Sequence, residues 1–594
     1  MSVRARRLRS GAAILPQGGV RFRLWAPGCE MIGLVLETER PQTLAMAPVA
    51  GGWHELTVPS ARAGDLYRFQ LPDGTLVPDP ASRFQPRDVH GPSEVIDPAA
   101  YDWSVPWEGR PWDEMVLYEL HLGAFTPEGT FRAAIDKLDH LAALGVTGIE
   151  IMPVWDFPGR RGWGYDGVLP YAPDSTYGRP EDFKALVEAA HGRGIAVILD
   201  VVYNHFGPDG NFLPSYAPAF FTQRHNTPWG DAVNYDGEDS GPVRDFVIDN
   251  ALYWLQEFDL DGLRLDAVHA IIDDSPKPLL QELAERVRAE ATRPVYLVLE
   301  NEDNQAGLLV REGRAPLLYT AQWNDDVHHV LHVAATGEDS GYYGDYRGRT
   351  DLLAKALAEG FAFQGQSMAY RGSERGEPSA HLPPEAFIAF IQNHDQVGNR
   401  AFGDRLGASV EPPVLRALAA VYLLSPQIPM LFMGEEWGAA QPFPYFCDFE
   451  PELGDAVRKG RRAEFARFPQ FQDPDARDHI PDPQADATFL SAKLDWSRID
   501  QGHLAHYAAL IAARRAHIIP LIGRINHGAE AREIGPGAVQ VIWRINDGGR
   551  LVLTANLSGA EVASPPFAGQ FLWAENTGHG PLSPWSVVWT LEAT

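Results

Sequence analysis

The sequence predicts an α/β fold, a (β/α)8 TIM barrel with an N-terminal β-sandwich domain and a C-terminal β-sheet domain. Three observations support it: β-type patterns in the first hundred residues, apolar strands alternating with helical patterns from Met115 onwards, and a return to β patterns after Ala516. At 594 residues the chain exceeds what one hydrophobic core usually serves. We therefore expect three domains, at residues 1–107, 108–516 and 517–594.

Short strands separated by Gly- and Pro-containing turns fill the N-terminal region. Val20–Trp25 and Leu66–Leu71 alternate apolar and polar residues, as half-buried strands do, and Ile32–Leu36 is an apolar strand between them. This spacing predicts a small antiparallel sandwich that ends near Trp107.

The central region repeats a strand-then-helix pattern. The predicted strands are Val116–Leu122, Gly148–Val154, Ala196–Val202, Gly262–Val268, Val295–Glu300, Leu317–Trp323, Phe387–Asn393 and Met430–Met433. Strands that are apolar on both faces and joined by helices indicate a parallel sheet, and eight such units indicate a closed barrel. A doubly wound open sheet is the alternative, but no GxGxxG or Walker loop follows an early strand. The closed barrel is therefore preferred.

Composition excludes several classes of protein. A formal charge of −29 argues against nucleic acid or an anionic membrane as a partner, because phosphate binding requires clustered Lys and Arg. Two cysteines, Cys29 and Cys447, cannot build a disulfide framework and do not form a CxxC metal motif. No stretch approaches the roughly 20 apolar residues of a membrane span, and the N-terminus lacks the apolar run of a signal peptide. We expect a soluble, cytoplasmic protein without a cofactor.

Polar residues gather where the predicted barrel strands end. Strand 4 carries Arg264 and Asp266 two residues apart, so both side chains point to one side of the strand. Four carboxylates, one arginine and two histidines should meet at one mouth of the barrel: Asp200, His205, Arg264, Asp266, Glu300, His394 and Asp395. Any one acid could serve only to cap a loop, but burying the whole set is costly unless its members serve a ligand or one another.

Paired carboxylates at a barrel mouth without a metal motif suit glycoside cleavage, in which one acid attacks the anomeric carbon and another protonates the leaving oxygen. The neighbouring guanidinium of Arg264 would keep Asp266 ionised and nucleophilic. Glu300 would act as general acid and then as general base. Asp395 would hold hydroxyls of the distorted sugar and stabilise the developing positive charge.

Four segments in the right order, DVVYNH, GLRLDAVH, LVLEN and QNHD, resemble the four short motifs of the alpha-amylase superfamily, glycoside hydrolase family 13. The resemblance spans about 400 residues and implies the same barrel. It implies that Asp266 is the nucleophile, Glu300 the acid/base and Asp395 the transition-state stabiliser. The resemblance also implies that Tyr165 stacks on the sugar. The other substrate-binding residues that match its motifs or lie next to them are Asp166, Asp200, His205, Arg264, His269, His394 and Gln396.

The resemblance departs from the starch-digesting amylases in one motif. They have a Lys-His pair beyond the nucleophile, whereas Ala267, Val268 and His269 follow Asp266 here. Asn204 matches an amylase calcium ligand, but one Asn is weak evidence and a hydrogen bond within its loop is the better explanation. We predict no required metal.

Further segments resemble a narrower family within this superfamily, the maltooligosyltrehalose trehalohydrolases. RLWAP and VPDPASRFQP resemble an N-terminal module shared with branching enzymes and isoamylases, while the segments closer to the trehalohydrolases are Gln322–His332, Gly434–Leu453 and Ile480–Trp496. The resemblance implies cleavage of the α-1,4 bond next to the terminal trehalose of maltooligosyltrehalose. It also implies a functional partner, the enzyme that makes that substrate.

The segment after the sixth predicted strand offers further polar side chains at the mouth. Asp325, Asp326, His328 and His329 would contact the trehalose unit, whose two glucoses present many hydroxyls, or would brace neighbouring loops. Phe443–Phe446 would wall the far end of the site or pack in the core.

Two other functions stay open from the sequence. A glycogen branching or debranching enzyme would share the N-terminal module and the three acids. A non-catalytic glucan-binding protein would keep the barrel but lose one of the acids, and all three are present.

Overall fold

Two antiparallel sheets form the N-terminal part of the computed structural model, which describes residues 6, 8–466, 468, 471–578 and 580–593. Phe22 and Phe69 face inward between the sheets, and the rings of Phe22 and Tyr67 lie 4.8 Å apart. In order across the first sheet the strands are Gly11–Ile14, Val20–Trp25, Trp53–Val58 and Ala47–Val49. The second sheet contains Thr43–Ala45, Gly33–Leu36, Leu66–Gln70, Leu76–Val77 and, paired with the third of these, Ser93–Glu94. The predicted sandwich is confirmed.

A closed barrel of eight strands follows, and every neighbouring pair in it is parallel. In chain order the barrel strands are Leu117–Leu120, Gly148–Ile151, Ala196–Val201, Gly262–Leu265, Tyr296–Leu299, Ala321–Trp323, Phe387–Ala389 and Ile428–Phe432. Alternate residues such as Leu117, Ile198 and Val298 fill the interior as a separate apolar cluster, while the others pack outward against helices. This two-sided burial explains why the strands read as continuous apolar runs.

Helices alternate with these strands and cover the barrel. The longer ones are Leu138–Leu144, Pro180–His191, Ser240–Glu257, Leu279–Glu290, Asp325–Thr336, Thr350–Glu359, Pro412–Leu424, Pro451–Phe465, Asp486–Ala492 and Gln501–Ala513. The shorter ones are Leu122–Phe125, Phe131–Ile135, Leu213–Tyr216, His394–Gly398, Pro474–Asp478, the π-helix Arg514–Ile518 and Ile519–Ile522. The pattern that predicts one helix from Phe131 to Ala142 is divided into two helices at Asp136 and Lys137. Gly145 ends the second helix in the left-handed conformation, with φ of 101°.

Short hairpins occupy several of the loops that follow barrel strands. They are Trp155–Asp156 with Leu169–Pro173, Phe221–Thr227 with Gly230–Val233, Arg311–Glu312 with Ala315–Pro316, and Gln366–Met368 with Ser373–Arg375. The third hairpin corrects a predicted boundary, because the sixth strand begins at Ala321 rather than Leu317 and Leu317 itself is 47% exposed. The seventh strand ends at Ala389, four residues before the predicted Asn393, because the chain there turns towards the helix that begins at His394.

A five-stranded antiparallel sheet forms the C-terminal part. Its order is Glu530–Gly535, Ala538–Arg544, Arg550–Asn556, Ser586–Glu592 and Gln570–Glu575. The indole of Trp589 stacks on Trp543 at 5.6 Å and donates a hydrogen bond to the carbonyl of Ala420 on a barrel helix. We propose residues 1–107, 108–516 and 517–594 as the limits of the three units. No helix in the described part of the chain is both long and apolar enough to span a membrane.

Candidate active site

One buried arginine connects three of the predicted acids. Arg264, in the fourth barrel strand, donates from Nη1 to Asp200 Oδ2 at 2.7 Å and to Asp266 Oδ1 at 2.9 Å. Its Nη2 donates to Glu300 Oε2 at 2.7 Å, and its guanidinium lies 4.0 Å from the centre of the Trp323 ring. Arg264 has no exposed surface, so these charge-assisted contacts act in an environment of low dielectric constant. Strands 3, 4 and 5 therefore do bring their acids together.

Backbone geometry beyond Asp266 adds a second donor for Glu300. Ala267 has a left-handed φ of 39°, unusual for a residue with a side chain, and its N–H donates to Glu300 Oε2 at 2.9 Å. Asn204 donates from its amide to Asp266 Oδ2 at 2.8 Å and to the Asp266 carbonyl at 2.7 Å. The Asn204 side chain thus orients Asp266 within the protein.

Asp395 and His394 complete the set from the short helix that follows the seventh strand. Asp395 accepts from the Asn399 amide at 2.9 Å, and Nε2 of His394 lies 3.7 Å from Asp395 Oδ1. Burial, with a contribution from the charge of Glu300, raises the pKa of Asp395, and the neighbouring His394 opposes that rise. The ring of His394 stacks on Tyr165 at 5.0 Å.

Burial also governs the pKa of Asp200. It raises the pKa to about 7, although the Arg264 contact and the hydroxyl of Tyr165, which donates to Asp200 Oδ2 at 2.6 Å, both work against it.

Two adjoining cavities open over these acids, and both are lined by Glu300 and Asp395. The first, of about 1010 Å³, also contains Asp266, and its other lining residues include Trp163, Tyr165, Asp166, His205, Trp229, His394, Tyr445 and Arg461. The second, of about 780 Å³, is lined by Glu302, Asp325, His329, Tyr342, Met368, Tyr370, Arg371, Arg375, Gln396 and Asn399. We call the two together the active-site cleft. Its aromatic walls and polar floor suit a sugar chain that crosses the acids.

The predicted substrate-binding residues occupy three kinds of position. Those that line the cleft are Tyr165, Asp166, His205, Asp325, His329, His394 and Gln396. Arg264 contacts Asp266 and Glu300 within the protein, and Asp200 contacts Arg264. Asp326, His328 and His269 are not among the residues that line either cavity.

The contacts of those last three residues are made within the protein. Asp326 accepts from Arg375 at 2.7 Å and from the Tyr346 hydroxyl at 2.5 Å. The imidazole of His328 is hydrogen-bonded to the carbonyl of Ile391 and to the Tyr343 hydroxyl. His269 accepts from the backbone N–H of Glu302 at 3.3 Å.

Two residues of the segment after strand 6 face the cleft, and burial favours the uncharged form of each. Burial, followed by the charge of Glu300, raises the pKa of Asp325 well above its usual range. Burial, followed by the charge of His328, lowers the pKa of His329 well below its usual range. Nδ1 of His329 is buried without a hydrogen-bond partner among the described residues. A neutral carboxyl and a neutral imidazole can each donate and accept, as recognition of hydroxyl groups requires.

The Phe443–Phe446 segment divides between the core and the cleft. Phe443 and Phe446 are fully buried, with rings 5.8 and 5.2 Å from that of His121, whereas Tyr445 lines the cleft. The Tyr445 hydroxyl donates to Asp166 at 3.2 Å. Burial raises the pKa of Asp166 to about 6.

Sequence reasoning missed two glutamates inside the barrel. Glu119 in strand 1 and Glu150 in strand 2 are aligned as partners in the parallel register, and each is 1% exposed. Glu119 accepts two hydrogen bonds from His394, whereas neither oxygen of Glu150 has a hydrogen-bond partner in the part of the chain that is described. An acid in the middle of an apolar strand was the available signal. The hairpin residue Trp229, whose indole stacks on His205 at 4.2 Å, was also missed because its loop has no regular pattern.

One cluster outside the cleft has the composition of a metal site. Ligand-type atoms of His225, Asp236 and Asp274 lie within 4.8 Å of one another. The carboxylate of Asp236, however, already accepts from Arg224 at 3.1 Å and from the N–H of Asp274 at 3.0 Å. The cationic Arg224 so close by disfavours a bound cation.

Comparison with known proteins agrees with this geometry. Residues 82–219 match the family model described as the alpha-amylase catalytic domain, and residues 526–589 match a domain of unknown function, DUF3459. A solved structure from Salmonella typhimurium, provisionally named an alpha-amylase, superposes with a TM-score of 0.94 at 46% identity and covers 99% of this chain and 100% of that one. A pullulanase from Paenibacillus barengoltzii, at 18% identity and a TM-score of 0.71, covers 100% of this chain and 95% of its own and shares the fold.

Curated relatives are similar over nearly the whole chain. The malto-oligosyltrehalose trehalohydrolase of Arthrobacter ramosus is 44% identical over 564 residues, which is 93% of this chain and 95% of the relative. The enzyme of that name from Saccharolobus solfataricus is 42% identical and covers 85% of this chain and 86% of its own length. The chain belongs to the malto-oligosyltrehalose trehalohydrolase family, within the glycoside hydrolases of the alpha-amylase superfamily.

Proposed function

We propose that this protein hydrolyses the α-1,4-glucosidic bond next to the terminal trehalose of maltooligosyltrehalose and releases trehalose and a maltooligosaccharide. The observation that carries the proposal is the convergence of Asp266, Glu300 and Asp395 on one cleft, in a chain 40–44% identical to several trehalohydrolases over most of its length. The aromatic walls and the many hydrogen-bonding groups of the cleft suit a neutral sugar chain. A substrate without charge needs no electrostatic steering, which is compatible with the net charge of −29.

In the proposed mechanism Asp266 attacks the anomeric carbon of the glucose that precedes the trehalose. Arg264 and Asn204 each donate to one of its oxygens, which fixes the orientation of the attacking carboxylate. Glu300 protonates the departing trehalose oxygen and then deprotonates the water that frees the maltooligosaccharide. Asp395 would hold sugar hydroxyls and stabilise the positive charge that develops at the ring.

The substrate implies a functional partner, an enzyme that converts the reducing end of a maltooligosaccharide into a trehalose unit. We propose no cofactor and no metal. We also propose a cytoplasmic setting, where such a partner would act on the same glucan chains.

The test is a product assay with maltotriosyltrehalose, maltoheptaose and amylose as substrates. Trehalose released from the first, with little attack on the second and no branching of the third, supports the proposal. Rapid branching of amylose, or cleavage of maltoheptaose at the same rate, would refute it. Proton NMR of the first product formed should show the α-anomer, because the double displacement retains configuration.

Asp266→Asn is the matched control for this assay. Removing the nucleophilic charge should reduce kcat by about 10⁴-fold or more, as the loss of other nucleophiles does. An unchanged rate in this variant would reject Asp266 as nucleophile.

A further inference from the structure

Glu119 lies on the first barrel strand, inside the barrel, and makes two hydrogen bonds with His394. Its Oε2 accepts from the backbone N–H of His394 at 2.9 Å, and its Oε1 lies 2.5 Å from Nδ1 of the same imidazole. Both partners are almost completely buried, at 1% and 2% exposure. A carboxylate that uses both oxygens on one residue in such surroundings fixes both the backbone and the ring of that residue.

Three aromatic rings hold the imidazole from other directions. Tyr165 stacks on His394 at 5.0 Å, Trp163 meets it edge-on at 5.5 Å, and Trp323 lies tilted at 5.8 Å. Because Nδ1 is directed at Glu119, Nε2 is the remaining ring nitrogen, and it lies 3.7 Å from Asp395 Oδ1. His394 also lines the cleft, so this nitrogen is on the side where substrate would bind.

The charge on the imidazole depends on this contact. Burial alone would lower the pKa of His394, but the charge and hydrogen bond of Glu119, together with the charge of Asp395, outweigh burial and raise the pKa to about 9. Among the described residues, the other titratable or charged groups that face His394 are Asp395 on its own segment, Arg264 on strand 4, Glu150 on strand 2, His121 after strand 1, and Tyr165. Arg264 opposes protonation, and Asp395 favours it less than Glu119 does, so Glu119 is the main group that keeps the proton on His394.

We propose that Glu119 is a positioning residue that acts through His394, holding the imidazole as a cation with Nε2–H available as a donor to a sugar hydroxyl and as a counter-charge to Asp395. This inference rests on the proposed hydrolysis in the cleft. It gives a role to Glu119, which is neither one of the three proposed catalytic acids nor one of the residues that line the cleft.

Glu119→Gln tests the proposal, because it keeps the shape and one hydrogen bond but removes the charge. Without that charge, burial should bring the pKa of His394 below its ordinary value of about 6.5. In the ratio of variant to wild-type kcat with maltotriosyltrehalose, the ionisation of the general acid common to both proteins cancels. That ratio should fall at least tenfold between pH 5 and pH 8, because the His394 imidazole keeps its proton up to about pH 9 in the wild type and loses it in the variant.

Glu150→Gln is the matched control. It replaces the register partner of Glu119 on the adjacent strand, whose carboxyl makes no hydrogen bond to His394. Burial, followed by the charge of Glu119, raises the pKa of Glu150 well above its usual range, so glutamine removes no charge and the ratio of variant to wild-type kcat should not change with pH. A Glu119→Gln protein with wild-type kcat at both pH 5 and pH 8 would overturn the proposal. So would a loss of activity that is equal at every pH, because a merely structural role would produce that result.

A second measurement does not depend on the variant folding or on activity. Titration of the wild-type protein with ¹⁵N-labelled histidine by NMR, with His394→Asn to identify the signal, should show the His394 imidazole protonated at pH 8. Titration at or below pH 6.5 would overturn the proposal. Since this experiment uses no substrate, its failure is distinct from a failure to release trehalose, which would refute the proposed function.

Discussion

Replacing Arg264 tests whether one guanidinium organises the catalytic acids. Arg264→Met deletes the cation that contacts Asp200, Asp266 and Glu300 at 2.7–2.9 Å. Removing one partner from a buried ion pair costs about 3–5 kcal/mol, and here three carboxylates lose the same partner. We expect the free energy of unfolding to fall by about that amount and kcat to fall by more than about 10³-fold, because uncompensated acids bind protons and Asp266 is then a poor nucleophile.

Arg264→Lys refines the magnitude. Lysine keeps the charge, but a single ammonium cannot reproduce two nitrogens that serve three acceptors, so at least one charge-assisted hydrogen bond of about 1.5–3 kcal/mol is lost. Since about 1.4 kcal/mol corresponds to a tenfold change in rate, kcat should fall about 10- to 150-fold.

The assays are trehalose release from maltotriosyltrehalose and unfolding in urea. Arg514→Met is the control, because Arg514 is equally buried but donates to the carbonyls of Leu423, Ser425 and Gln427. It should lower stability and leave kcat per folded molecule unchanged. A folded Arg264→Met protein within tenfold of wild-type activity would refute the reasoning.

Three further predictions concern single contacts. Tyr165→Phe removes the hydroxyl that donates to Asp200 at 2.6 Å but keeps the ring that stacks on His394. We expect kcat/KM to fall about tenfold. A wild-type kcat/KM would exclude a role for the hydroxyl. Asp156→Asn replaces a buried acid without a hydrogen-bond partner among the described residues, whose pKa is raised by burial and then by Asp174. Because its pKa is raised, wild-type Asp156 is most favourable to folding below the unfolded value near pH 4, and it loses that advantage as pH rises. The free energy of unfolding in urea should therefore increase for the variant relative to the wild type by up to about 1.4 kcal/mol per pH unit above pH 5. A difference that does not change with pH would contradict this. Treatment with EDTA followed by dialysis should leave trehalose release unchanged, because the Asp236 carboxylate already accepts hydrogen bonds from Arg224 and from a backbone N–H. A loss of activity that Ca²⁺ restores would contradict this prediction.

The barrel could be predicted because its strands leave a strong local signal. Strands buried on both faces must be apolar throughout, so Ala196–Val201 and Ile428–Phe432 stand out as runs in the sequence. Strand ends were less accurate, since the apolar run that begins at Phe387 continues through Phe390 and Ile391 after the hydrogen-bonded ladder stops at Ala389. The apolar character of a sequence does not show where the hydrogen bonds between neighbouring strands end.

The candidate site could be predicted only in part. Asp266 and Glu300 lie where parallel strands end, and that position follows from topology. Glu119 could not be found in this way, because its role depends on His394, which is 275 residues away in sequence. Trp229 lies in a hairpin loop whose position over the cleft depends on tertiary packing with His205.

The left-handed Ala267 has a consequence for the stereochemistry of proton transfer. Its N–H and the Nη2 of Arg264 both donate to Oε2 of Glu300, which leaves Oε1 as the atom of that carboxyl able to carry a proton. In the proposed mechanism the same atom would therefore give its proton to the departing trehalose and later take one from water. The leaving group and the incoming water would then have to pass through a single position, on one side of the sugar ring.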